Sequence, residues 1–74
     1  MDEKKSIALL LAPGFEDIEA LTPVDVLRRA SFHVVTAGVA GGKTVESAHG
    51  VSVSVDAALS ELEPDDYDMV VLPG

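Results

Sequence analysis

The sequence predicts an α/β fold with a mostly parallel sheet, and four stretches carry that expectation. Ile7-Ala8-Leu9-Leu10-Leu11 is an uninterrupted apolar run, the mark of a strand buried on both faces, and Ala12-Pro13-Gly14 turns the chain out of it. Glu16 to Ala30 reads as a helix, and Phe32-His33-Val34-Val35-Thr36-Ala37 as the next strand. A helix between two strands makes them parallel through a right-handed crossover. Tyr67-Asp68-Met69-Val70-Val71-Leu72 is a further buried strand that closes on Pro73-Gly74.

Asp2 to Lys5 forms a polar leader before a first strand over Ser6 to Leu11. The helix opens on three acids, Glu16, Asp17 and Glu19, which answer the positive end of the helix dipole. Pro23 must kink or restart it, and Thr22 offers a second N-cap, so one bent helix and two short ones are both open. The helix should stop near Ser31, at a position where a left-handed cap usually has glycine. Gly38 to Lys43 is a glycine-rich turn. Thr44 to Ser47 and Val51 to Val55 follow as two short strands, the second alternating and so half exposed. Asp56 is placed to cap a short helix over Ala57 to Leu62, which Pro64 ends, and Asp65, Asp66 and Asp68 make a charged surface turn.

On a helical wheel of about 100° per residue, Glu16 and Glu19 share a side with Pro23, Val26, Leu27 and Ala30, the stripe expected to face the sheet. Asp17, Asp25, Arg28 and Arg29 fall largely on the solvated side, and Ile18 and Leu21 point away from the sheet. A carboxylate aimed at a sheet just beyond the carboxyl end of a strand sits where open α/β folds build sites. His49, next to Gly50 in a hairpin, has no partner acid at a recognised ligand spacing, and neither does His33, so no metal site is expected. No cofactor is expected either. The Gly38 to Gly42 run lacks the Lys-Ser/Thr of a phosphate loop and precedes no helix.

The chain has 74 residues, 47% of them hydrophobic, which suits folding over disorder but leaves a core that is marginal without staples. It has no cysteine, so it offers no disulfide, thiolate ligand or thiol nucleophile, in keeping with a cytoplasmic setting. Thirteen acids against five bases, a formal charge of −8, argue against a nucleic-acid or anionic-membrane partner. The apolar run before Pro13 is too short for a signal peptide, and no segment is long enough to span a bilayer.

At Leu11-Ala12-Pro13-Gly14-Phe15-Glu16-Asp17-Ile18-Glu19-Ala20 and Thr22-Pro23-Val24-Asp25-Val26-Leu27-Arg28-Arg29-Ala30 the sequence resembles the DJ-1/ThiJ/PfpI superfamily. Ser47-Ala48-His49-Gly50-Val51, Asp56 and Tyr67-Asp68-Met69-Val70-Val71-Leu72-Pro73-Gly74 continue the resemblance in order, over nearly the whole chain. It implies the N-terminal part of a flavodoxin-like three-layer α/β/α sandwich, so that residues 1–74 make an incomplete single domain. The apolar final strand points the same way, since it needs cover on both faces and no helix follows it. The chain is therefore expected to be cut from a larger domain or completed by a second polypeptide that carries the remainder.

Members of the superfamily have a reactive cysteine at a strand-to-helix elbow downstream of this segment, contacted by a glutamate of the first helix that maps onto Glu19. Glu16 is the other acid of that motif, and Gly74 belongs to the Leu-Pro-Gly-Gly loop that helps form an oxyanion hole. This sequence stops short of the second glycine, lacks the nucleophile, and has Ser31 where glycine is usual. The resemblance implies a cysteine-dependent hydrolase or lyase acting on small carbonyl compounds or their adducts, as glyoxalase, deglycase or amidase/peptidase. The alternative is a non-catalytic redox-sensing or chaperone-like protein on the same fold. A flavin or nucleotide binder is a third reading, and the lack of a hydroxyl-rich phosphate loop after Leu11 counts against it. Family members are commonly homodimers that use the first helix, which implies an interface including Ile18, Leu21 and His49. On these expectations the 74-residue chain by itself should give a weak, uncooperative melt by circular dichroism, and a sharp two-state transition would contradict them.

Overall fold

The structure is a computed structural model and describes residues 5–74; the polar leader, apart from Lys5, lies outside the described residues. Six strands and one α-helix follow in the order β1 (Ser6–Leu11), α1 (Asp17–Arg29), β2 (His33–Gly38), β3 (Thr44–Glu46), β4 (Ser52–Ser54), β5 (Ala57–Ala58) and β6 (Met69–Val71). Single 3-10 turns at Leu59–Glu61 and Pro64–Asp66 lie between β5 and β6. Four strands form a sheet in the order β5-β2-β1-β6, with every pairing parallel. β3 and β4 form a separate antiparallel hairpin with Val45 opposite Val53.

β1 is hydrogen-bonded to β2 along its whole length and to β6 over Ile7 to Leu9. Its side chains alternate between the faces, as the period of two requires. Ile7, Leu9 and Leu11 join Phe15, Ala20, Val34, Val45 and Val55 in the core beneath α1 and the hairpin. Ala8 and Leu10 serve the opposite face, where they line an apolar cleft with Leu59, Leu62, Pro64, Tyr67 and Val70. Leu9 and Leu11 are fully buried, each worth about 1.5–3 kcal/mol of transfer free energy. The exposed Arg29–Asp25 pair at 3.5 Å belongs to a class worth about 0–1 kcal/mol, so burial on β1 outweighs the surface charges.

α1 runs unbroken through Pro23, as one helix and not two. Glu16 caps it: its Oε1 accepts the backbone N–H groups of Ile18 at 2.9 Å and Glu19 at 3.0 Å. At the other end the N–H of Phe32 bonds the carbonyl of Leu27 and that of Ser31 the carbonyl of Arg28, both at 3.0 Å. These are the two bonds of a Schellman closure, which needs a left-handed residue at its centre. Ser31 occupies that position with φ 73°.

Several expectations are corrected here. The stripe of α1 on the sheet is Ala20, Leu21, Val24 and Leu27, whereas Val26 is 53% exposed and Ala30 is exposed. A wheel gives relative angles only, and the small Ala20 sets the phase by letting the helix settle closely on the strands. Leu21, expected to face away, packs against the core, and Asp17, expected in solvent, is half-buried against the hairpin. Asp56 caps no helix. Its Oδ2 accepts from the N–H of Thr36 at 2.9 Å, from Thr36 Oγ1 at 3.1 Å and from Arg28 at 3.0 Å. Ala57–Ala58, expected to be helical, instead pairs with β2, because short chain length and a parallel neighbour favour the ladder. The last strand, expected to be buried, is uncovered at the sheet edge, with Met69 and Val70 55% and 56% exposed. Among the described residues no helix is long and apolar enough to cross a membrane.

Left-handed backbone costs a non-glycine residue about 1–2 kcal/mol, and Ser31 carries that cost in an exposed position. In the complete protein, Ser31→Gly is expected to raise stability by about 0.5–1 kcal/mol, read as a higher urea midpoint at unchanged slope. An unchanged or lower midpoint would show that the Ser31 conformation is not strained.

Candidate functional site

The chain leaves β1 through α1 to reach β2 on one flank, then returns by way of the hairpin and the 3-10 turns to β6 on the other. The order thus reverses at β1, and in open α/β sheets the crevice at the carboxyl ends of the strands flanking such a reversal is where ligands bind. A cavity of about 210 Å³ opens there, lined by Ala12 to Phe15 from the end of β1, by Leu72 to Gly74 from the end of β6, and by Leu10 and Val39.

Backbone bonds hold the rim in place. Gly14, at φ 86°, a conformation glycine adopts freely, donates its N–H to the carbonyl of Glu46 at 2.8 Å. Ala48 donates to the carbonyl of Phe15 at 2.8 Å, and Glu16 to the carbonyl of Gly74 at 2.9 Å. The loop after β1, the hairpin and the end of β6 are thereby tied to one another.

Glu19 stands in the first turn of α1 beside Gly74. A Cβ on Gly74 would lie 2.6 Å from Glu19 Oε1, so the carboxylate as placed sits directly against the Gly74 backbone, and a larger residue there would make it swing away. Glu19 itself is exposed, and among the described residues its carboxylate has no hydrogen-bond or ion-pair partner. Glu16 differs in this respect, since its Oε1 is committed to two helix N–H groups. The structure therefore brings together Glu19, Glu16 and Gly74, the three residues singled out from the sequence for the catalytic centre and its loop. It holds Glu16 by its cap and leaves Glu19 open.

A second cluster flanks the crevice. Asp17 Oδ1 lies 2.9 Å from Nδ1 of His49, and Asp17 Oδ2 accepts from Ser47 Oγ at 2.8 Å. Ser47 is buried, and its hydroxyl also accepts the N–H groups of His49 at 3.2 Å and Val51 at 3.0 Å. The His49 and Ser47 hydrogen bonds hold the Asp17 carboxyl below the usual carboxylate range, in that order of size. The Asp17 bond, then its charge and that of Glu16, raise the imidazole of His49 against a smaller desolvation effect. His49, which appears partnerless in the sequence, thus has an acid partner 32 residues away in the chain. No spacing rule spans such a separation; the signal lay only in a hairpin beside a helix start. Glu16, Asp17 and His49 bring ligand-type atoms within 4.8 Å of one another. Asp17 already spends both oxygens, and His49 its Nδ1, on each other and on Ser47, so the group reads as a hydrogen-bonded cluster. Ile18 is 71% exposed on the outer side of the same helical turn, while Leu21 is held in the core.

The profile of the DJ-1/PfpI family matches residues 5–74. Protein dj-1beta of Drosophila melanogaster is 43% identical over 70 residues, which span 95% of this chain and 37% of that protein. An uncharacterised protein of Staphylococcus aureus is 40% identical over 70 residues, 95% of this chain and 41% of its own length. The crystal structure of Drosophila DJ-1beta superposes with a TM-score of 0.91 at 42% identity, covering 97% of this chain and 39% of that one. A DJ-1 superfamily protein of Salmonella typhimurium superposes at 0.88 with 44% identity, covering 95% and 38%. The chain spans about two-fifths of the length of the curated relatives it matches. The parallel sheet with α1 on its central strands is the flavodoxin-like arrangement of these DJ-1 structures. On the match over residues 5–74 and these relatives, the chain belongs to the DJ-1/PfpI family.

Proposed function

We propose that this segment supplies the acid and the glycine loop of a cysteine-dependent centre acting on small carbonyl compounds or their adducts, in the manner of a glyoxalase, deglycase or amidase. The observation that supports it is the approach of Glu19 to Gly74 at the carboxyl end of the central strand, with a carboxylate that no bond from the described residues consumes. Because the 74 residues contain no cysteine, the thiol comes from the remainder of the domain, whether on the same polypeptide or on a complementary one. A thiolate adds to the carbonyl carbon. Glu19 gives a proton to the oxygen that gains charge, or takes one from the adjoining carbon, as a general acid–base. Backbone donors near Gly74 belong where that charge develops. The setting proposed is cytoplasmic, with no nucleic-acid or membrane partner, in line with the formal charge of −8.

The complete protein is proposed to be a homodimer joined through α1. Support comes from Ile18, 71% exposed, on the helical turn that also carries the Asp17–His49 contact. One isolated aliphatic means little, but here it adjoins an exposed histidine already held in one orientation by a carboxylate.

In the complete protein, Glu19→Gln is expected to lower turnover of methylglyoxal by more than about tenfold while the circular dichroism spectrum stays unchanged. Unchanged kinetics in a folded variant would remove Glu19 from the chemistry. If the wild type shows no turnover but its thiol is oxidised by peroxide in a Glu19-dependent way, the redox-sensing reading replaces the enzymatic one. Ile18→Glu is expected to convert the dimer to monomer in sedimentation velocity at micromolar concentration. A dimer that tolerates this charge has its interface elsewhere.

A further inference from the structure

Glu16 is bonded to both residues of the candidate centre. Its Oε1 accepts the N–H of Ile18 at 2.9 Å and that of Glu19 at 3.0 Å, while its own N–H donates to the carbonyl of Gly74 at 2.9 Å. One residue thus holds the backbone from which the Glu19 side chain projects and also the segment that leaves β6. Its backbone, at φ −80° and ψ 124°, has the extended conformation of a helix cap, and α1 begins at the next residue.

The spacing of the two acids adds a second observation. Glu19 stands three residues after the cap, where an acid ordinarily folds back to accept the N–H of the cap residue and closes a capping box. Here that N–H is already given to Gly74, and among the described residues Glu19 makes no such bond. Its carboxylate lies beside Gly74 instead, with Oε1 2.6 Å from where a Cβ would stand. The partner that would draw Glu19 onto the helix end is therefore occupied by the residue it is meant to face.

We propose that Glu16 is a positioning residue and not a proton carrier: its Oε1 and its own N–H fix Glu19 and Gly74 against each other, and the tie to Gly74 keeps the Glu19 carboxylate out of a capping box. This rests on the reading of Glu19 as the acid of the centre. Burial by further chain leaves the three bonds in place, because each joins groups within the start of α1 or between its cap and residue 74. The second oxygen of Glu16 is uncommitted among the described residues, so the rival role is direct proton transfer, and substitution separates the two.

In the complete protein, Glu16→Ala is expected to lower kcat for methylglyoxal by about tenfold or more with KM within about twofold of the wild type, since the acid is misplaced and the binding surface is not. Glu16→Gln, which keeps an acceptor of the same length and does not ionise, and Glu16→Ser, a favoured cap, are expected to stay within about threefold of the wild type. If both are as slow as Glu16→Ala, the carboxylate itself takes part in the chemistry and the proposal is overturned. Full kcat in Glu16→Ala with a lowered urea midpoint also overturns it, because the cap then serves only the helix. Crystal structures of the same variants read placement without activity. In Glu16→Ala the bond between residues 16 and 74 is expected to open and the Glu19 carboxylate to turn back onto the amide of residue 16, whereas Glu16→Gln and Glu16→Ser keep the wild-type arrangement. A Glu19 carboxylate that stays beside Gly74 in Glu16→Ala overturns the proposal whether or not the wild type turns over methylglyoxal. A wild type without turnover defeats the enzymatic reading of Glu19, and the placement is then decided by these structures alone.

Discussion

β1 is paired on both edges by parallel neighbours, and its alternate side chains enter two different apolar layers. A strand so placed is paired on both sides over Ile7 to Leu9 and buries Ile7, Ala8, Leu9 and Leu11, which is why its sequence is apolar on successive residues. Its position also fixes the rest of the architecture. With β2 on one flank and β6 on the other, the chain must reverse its order at β1, and the crevice follows from that reversal and not from any particular side chain.

Around that crevice the chain joins three segments that are far apart in sequence through a few backbone bonds. Gly14 reaches Glu46, Phe15 reaches Ala48, and Glu16 reaches Gly74. The tie between Glu16 and Gly74 carries most for function, because it sets the end of β6 against the first turn of α1, with the Glu19 carboxylate beside Gly74. Ser31 shows the opposite balance: a closing turn that wants glycine is made by a serine, and the two Schellman bonds on either side hold it there, with Leu27 and Phe32 both packed on the core.

The acidic excess is largely absorbed by structure. Glu16 caps α1, Asp17 binds Ser47 and His49, Asp56 joins Thr36 to Arg28, and Glu61 accepts the N–H of Ala58 at 2.7 Å beside Lys43. Each of these carboxylates has a local partner that accounts for it. Glu46, Glu63, Asp65 and Asp66 share with Glu19 the lack of a side-chain partner among the described residues, and what sets Glu19 apart from them is its place beside Gly74 at the carboxyl end of the central strands.

The amino-acid sequence by itself determined the parallel α/β class, the hairpin, the acidic start of the helix, and the family, because hydrophobic periodicity and turn residues act over a few neighbours and survive without tertiary context. It also singled out Glu19, Glu16 and Gly74, through motifs that lie contiguous in the chain. The rotation of α1 was decided only in three dimensions: the wheel orders residues relative to one another, but Ala20 against the sheet sets the phase, which turned Leu21 inward and Val26 out. Asp56 and Ala57–Ala58 were decided by β2, whose open edge offered bonds that a short helix could not match. The Asp17–His49 contact was likewise invisible beforehand, since its partners are separated by 32 residues and meet only because the hairpin folds back over the helix start. Local patterning specifies elements; which side chains face one another is set by how those elements pack.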